Sequence, residues 1–287
     1  MKLTRRLSED ASKKLALLAE SWTQAAEGYE ALLVPRFAPW TQDAIHQLKK
    51  HAQWLPPGTC VVPTCGPGHE LPLVAEVLGP DRPVVGSDLS YGMIERSKKF
   101  AAAIGPQCTV VVADAMMPLC GGKLAAILTV FGLQQLPDPM EAVRGWCAKL
   151  EPMGIAVICF WPPGSVETSG PWDLYSKLLA KHVGVAERKQ SSACWDEQLT
   201  TAAEAAGAEV LMDSLVEHCM EWFDSDTMWE AMTRSGPWTF TRLRRGDAFM
   251  DMIKSEFLES YPPGQGVRHS PTARLLVLRK RATVSTS

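Results

Sequence analysis

The stretch TCVVPTCGPGHEL, residues 59–71, constrains this chain more than any other. The apolar run Cys60, Val61, Val62 is broken by Pro63 and Thr64, and Gly66 and Gly68 then lead into a helical pattern that begins at His69 and Glu70. That order reads as strand, tight turn, helix. Glycine belongs at such a turn because a residue without a side chain lets the backbone approach a ligand, and the helix start beyond it offers unpaired N–H groups. A G-x-G turn also arises as plain strand-to-helix geometry, so it needs support from elsewhere.

Support comes from the next two apolar runs. PVVGSDL (83–89) reads as a buried strand ending in Asp88, which stands roughly 20 residues past the glycines, where a carboxylate meets ribose hydroxyls. TVVVADAMM (109–117) ends likewise in Asp114, able to accept a hydrogen bond from an adenine amino group. Three consecutive strands thus carry ligand-type residues at their C-terminal ends, the edge at which open α/β sheets bind ligands.

The ordered set resembles the class I S-adenosylmethionine-dependent methyltransferases over about residues 58–162. The resemblance rests on the glycine turn, Asp88 followed by LSYGMIERSKK, the Ala113-Asp114-Ala115 step and ILTVFGLQQLPDPMEAVRGWCAKLEPMGIAVICFWP (127–162). FGLQQLPDP is similar to a segment of the menaquinone and ubiquinone C-methyltransferases, where an Arg-Asn pair stands in place of Gln134 and Gln135. The resemblance implies S-adenosylmethionine as cofactor, S-adenosylhomocysteine as product, and cofactor contacts from Tyr29, Thr64, Cys65, Gly66, Gly68, Asp88, Leu89, Met93, Asp114, Ala115 and Val130. It also implies a Rossmann-like, seven-stranded, mostly parallel sheet with helices on both faces. Two positions depart from the family: an acidic residue and a glycine are usual where this chain has Val62 and Thr64.

The strand and helix signals agree with that fold. Helices are expected over 69–78, closed by Gly79-Pro80, and over 91–104, opened by Ser90 and closed by Gly105. Asp138-Pro139 caps another. The fourth and fifth strands are expected at 125–131 and 154–161, and the last two at 208–222 and 272–281, as an antiparallel pair. Ahead of the sheet, Leu15, Leu18, Ala19, Trp22, Ala25, Ala26 and Tyr29 give helical spacing over 8–33, and a second helix is expected from Pro39 to about Trp54. Residues 1–57 are therefore read as a helical lid on a core of 58–287. Trp22, Tyr29 and Arg36 are its candidates for facing the site.

Two insertions leave the sheet edge that delivers the ligand residues, at about 162–193 and 223–270. They are expected to form the acceptor pocket, with Trp161, Trp172, Trp222, Trp229, Met232 and Trp238 lining an apolar cavity for a small apolar or aromatic molecule. Methyl transfer needs a base only when the acceptor must lose a proton. His182, His218, Glu221 and His269 are the candidate bases, and Gln134 or Gln135 could orient the acceptor.

Composition excludes several other classes. A formal net charge of −3 over 287 residues gives no basic field for nucleic acid. No H-E-x-x-H or C-x-x-C spacing points to a metal, and no long apolar segment points to a membrane span. The eight cysteines read as reduced residues of a cytoplasmic protein, monomeric or homodimeric. A nicotinamide-dependent oxidoreductase shares the glycine turn, but Leu71 stands where its third glycine belongs. A methyltransferase-fold binding protein without transfer activity is the other alternative.

Overall fold

A computed structural model describes residues 9–117, 122–163, 167, 169–183 and 194–282. Cys120 and residues 164–166, 168 and 184–193 of the first insertion lie outside them. The chain builds a seven-stranded sheet in the order β3-β2-β1-β4-β5-β9-β6. The strands are β1 (Thr59–Pro63), β2 (Val84–Asp88), β3 (Cys108–Val112), β4 (Leu124–Val130), β5 (Leu150–Phe160), β6 (Ala208–Glu217) and β9 (Thr272–Lys280). β1 to β5 pair in parallel, and β9 runs antiparallel between β5 and β6.

Alternation along the strands sends side chains to two separate cores, as expected of a sheet covered on both faces. Cys60, Val62, Val157 and Cys159 face one layer, which includes the helix of Phe37, Trp40 and Leu48; Val61, Ile158 and Phe160 face the other, where Trp146 and Leu199 pack. The register sets Pro63 beside Ser87 and Asp88 beside Val112, so the ends of β1, β2 and β3 lie at one edge. Helices α3 (Glu70–Leu78) and α4 (Tyr91–Ile104) start there.

The N-terminal helices differ from expectation. Helix α1 (Glu9–Gly28) runs through a π-helical segment, Tyr29–Leu33, directly into α2 (Val34–His51), with Pro39 inside it. Proline removes one backbone donor, but Phe37, Trp40, Ala44 and Leu48 bury the same helix face on the sheet, and that burial carries the helix through. The π segment re-aims one turn, a distortion found often beside ligand sites.

The stretch 208–222 is likewise not one strand. It splits after Glu217, and β7 (Met220–Trp222) pairs instead with β8 (Val267–His269) in a small antiparallel hairpin. Between them the second insertion forms three helices, α8 (Ser225–Thr233), α9 (Gly236–Arg245) and α10 (Asp247–Ser260), the last two separated at Gly246. The remaining helices are α5 (Pro139–Lys149), α6 (Pro171–Val183) and α7 (Leu199–Ala205).

Candidate active site

Three cavities meet above the C-terminal strand ends, and Tyr29 and Phe131 line all of them. The first, about 70 Å³, is bounded by Thr64, Gly66, Asp88, Leu89, Met93, Asp114, Ala115 and Val130. Sequence reasoning placed every one of these residues at a cofactor. The second, about 280 Å³, lies between α2 and the glycine turn and adds Cys65, His69 and Glu70. The third, about 440 Å³, opens under the insertions.

The glycine turn is held by Asp88. Its Oδ2 accepts from the Gly66 N–H at 3.0 Å and its Oδ1 from the Ser90 N–H at 2.9 Å. Burial lifts its pKa to about 6 against the opposing pull of the backbone N–H groups of Ser90, Gly66 and Leu89. Gly66 has φ +52°, and a Cβ there would meet no atom within 4 Å. That leaves an open, left-handed turn facing the cavity, shaped for close backbone approach. Gly68 has a different job from the one expected. A Cβ on it would fall 2.7 Å from Ser97 Cβ, so it lets the turn pack on α4 and does not line a cavity.

Thr64 takes φ +59° without being glycine, a strained setting for a β-branched residue. Its hydroxyl bonds to Thr129 Oγ1 at 2.9 Å and to the Pro63 carbonyl. The side chain fills the space where a Cβ on Gly132 would sit, since Thr64 Oγ1 is 1.7 Å from that point. Bulk gained at position 64 is thus matched by its absence at 132. Cys65 sits in the turn with its thiol pushed well up, mainly by burial, which keeps it in the unreactive form.

The third cavity is walled by aromatics from distant parts of the chain. Phe131 and Trp161 stack with centroids 4.0 Å apart and planes 6° apart, and Trp172 meets Trp161 edge-on at 5.1 Å. Trp22, Tyr29, Phe37, Tyr175, Trp195 and Trp238 complete the wall with Met232. The lining carries one carboxylate, Asp173, which already holds Lys177 at 2.6 Å. Gln134 and Gln135 line it too. Gln134 Nε2 donates to the Phe131 carbonyl at 2.6 Å, leaving its buried Oε1 without a partner.

The candidate bases are elsewhere. His182 pairs with Glu256 at 2.6 Å, His218 pairs with Asp43 at 2.7 Å, and neither lines any of the three cavities. His269 is buried between Glu167, 2.8 Å from Nδ1, and the Trp222 indole N–H, which donates to Nε2 at 3.1 Å. The indole bond fixes the tautomer with the proton on Nδ1. Glu167 also accepts from the Trp172 and Asp173 N–H groups, so this network ties the β7–β8 hairpin to the start of α6. Glu221 lies exposed beside Arg268, and Arg36 stacks on Trp222 outside the cavities. Trp229 packs behind Trp238. Phe37, Phe131, Tyr175 and Trp195 escaped the sequence reading because nothing in helical or strand spacing separates a cavity wall from ordinary core.

Residues 63–154 match the methyltransferase-domain family. A demethylmenaquinone methyltransferase of Shouchella clausii is 27% identical over 194 residues, 63% of this chain and 77% of that protein. The matched domain and this relative support a class I S-adenosylmethionine-dependent methyltransferase. Among solved structures, the YcgJ protein of Bacillus subtilis superposes with a TM-score of 0.51 at 15% identity, over 84% of this chain and 99% of that one, a likeness of fold. The same matches support S-adenosylmethionine as the cofactor. The open turn at Gly66, the anchored carboxylate of Asp88 and the Asp114 carboxylate suit a ligand with ribose and adenine groups. Among the described residues no helix is long and apolar enough to cross a membrane.

Proposed function

We propose that this methyltransferase acts on a small, flat, apolar or aromatic acceptor held in the third cavity. The observation that carries the reading is the junction at Tyr29 and Phe131, where an aromatic cavity of about 440 Å³ opens onto the glycine-turn cavities. Aromatic walls favour a planar apolar guest, and a wall whose one carboxylate is already paired gives little to a strongly charged one. The Shouchella relative is named for demethylmenaquinone.

On this reading Asp88, Asp114 and Gly66 bind the adenosine part of the cofactor, with Leu89, Met93, Ala115 and Val130 packing around it. The cofactor supplies an electrophilic methyl group, and the in-line displacement disperses its positive charge. The chain's own part is to position and to exclude water. Gln134 and Gln135, the amides in the wall of the third cavity, are the groups placed to hydrogen-bond an O–H or N–H of the acceptor. Residues 1–57 act as lid and the two insertions as cap, joined to the core where Thr23 Oγ1 meets Ser90 Oγ at 3.0 Å.

The test is a panel of phenols, quinols, alkylamines and amino acids, with S-adenosylhomocysteine release as the readout. Turnover with flat apolar acceptors, reduced in Gln134→Ala, is the expected result. Turnover confined to amino acids or alkylamines would overturn the assignment.

A further inference from the structure

The second cavity contains a carboxylate that the protein leaves without a counter-charge. Glu70, the first residue of α3, is the only carboxylate lining it. Among the described residues neither Glu70 nor Asp88 forms an ion pair. The cations of this region, Arg96 and Lys99, gather on Glu30 instead, and His69, whose pKa burial lowers, lies against the same glutamate. Strand β1 ends nearby in Val62 and Pro63, neither of which carries charge. Burial, opposed by its own backbone N–H and reinforced by Asp88, lifts the Glu70 pKa to about 7. An enclosed acid without a cation is a costly arrangement that a cationic ligand group relieves.

The cavities say which group that is. Asp88 and Asp114 lie in the first cavity, and the aromatic acceptor wall lies in the third. With adenosine in the first and the methyl group aimed at the third, the amino-acid branch of the cofactor is left to the second. That cavity shares Thr64, Gly66 and Val130 with the first. We propose that Glu70 receives the ammonium group of the cofactor's amino-acid end. The inference rests on the cavity assignment made above, and it gives the glycine turn acidic anchors on both sides, Asp88 behind and Glu70 ahead.

Calorimetric titration of wild type and Glu70→Gln with two ligands tests it. S-adenosylhomocysteine keeps the ammonium; 5′-methylthioadenosine lacks the whole amino-acid branch. The expected result is that Glu70→Gln weakens S-adenosylhomocysteine binding roughly 10- to 100-fold, the scale of a charge-assisted hydrogen bond, and leaves 5′-methylthioadenosine unchanged. Glu70→Asp should recover part of the loss. Unchanged S-adenosylhomocysteine affinity would overturn the proposal. So would an equal loss for both ligands, which would mark a structural role for Glu70. Failure of the wild type to bind either ligand would overturn the cavity assignment, and this inference with it.

Discussion

The two ends of the site are built by different means. Around Asp88 the sheet does the placing: strand register sets the ends of β1, β2 and β3 side by side, and backbone N–H groups fix the carboxylate. Around Trp161 the placing is done by side chains from α1, α2, the loop after β4, α6 and the region of α8 and α9, held by ring-on-ring contacts. The first end varies little without breaking the sheet, whereas the second can be repacked residue by residue. A fold that keeps one cofactor while changing acceptors is expected to be divided in this way.

The sharpest way to break that comparison is to remove the anchor. Asp88→Ala should lower S-adenosylhomocysteine affinity by roughly 100-fold or more, since hydrogen bonds to a charged group contribute about 1.5–3 kcal/mol each. Titration calorimetry reads the loss, and a melting curve separates it from unfolding, because the Gly66 and Ser90 N–H groups also lose their partner. On the other side, Trp161→Ala should raise the acceptor KM about tenfold while S-adenosylhomocysteine affinity stays within about twofold. If both ligands weaken together, the two ends are not separable and the division fails.

How much of this could be read from the sequence follows the same line. The cofactor end was legible, because apolar runs ending in Asp88 and Asp114 and a glycine turn are local signals whose meeting point the parallel sheet dictates. Gly68 was misread because a glycine needed for a ligand and one needed for helix packing look alike in one dimension. His182 and His218 were misread for a similar reason, since only the fold shows Glu256 and Asp43 beside them. The cap was legible in composition but not in arrangement. Trp222 supports His269, Trp229 backs Trp238, and the wall itself includes Phe131, whose neighbours come from distant parts of the chain.

A smaller effect probes the seam between the two ends. Thr64 and Gly132 share one space, so Gly132→Ala must displace a threonine already held by Thr129. Overpacking of this kind costs about 1–3 kcal/mol, and chemical denaturation should show it as a lower midpoint with an unchanged slope. The double variant Gly132→Ala with Thr64→Gly should recover part of that loss, since the closest clash is gone while Thr129 Oγ1 still lies 2.9 Å from the added Cβ. No recovery would mean that the strain at Thr64 is unrelated to Gly132.

The smallest expected effect concerns the pH dependence of the ligand-free protein, and it separates stability from binding at Glu70. Its folded pKa, about 7, lies above the ordinary value of 4.5, so the neutral form is favoured in the fold. The associated stability is fully present below about pH 4.5 and is lost as pH rises through about 7. Asp88, Cys65 and Tyr29 face the same space, and the glutamate's charge raises the pKa values of Cys65 and Tyr29 in turn. Asp88, raised to about 6 by burial, is present in both proteins, and its repulsion of Glu70 is lost in the variant. Glu70→Gln stays neutral throughout, so its melting temperature should match wild type near pH 4.5 and exceed it by a few degrees at pH 8. Saturating S-adenosylhomocysteine should narrow that gap at pH 8, since only the glutamate can pair with an ammonium. A gap at pH 8 that the ligand leaves unchanged would leave Glu70 as a buried liability with no part in holding the cofactor.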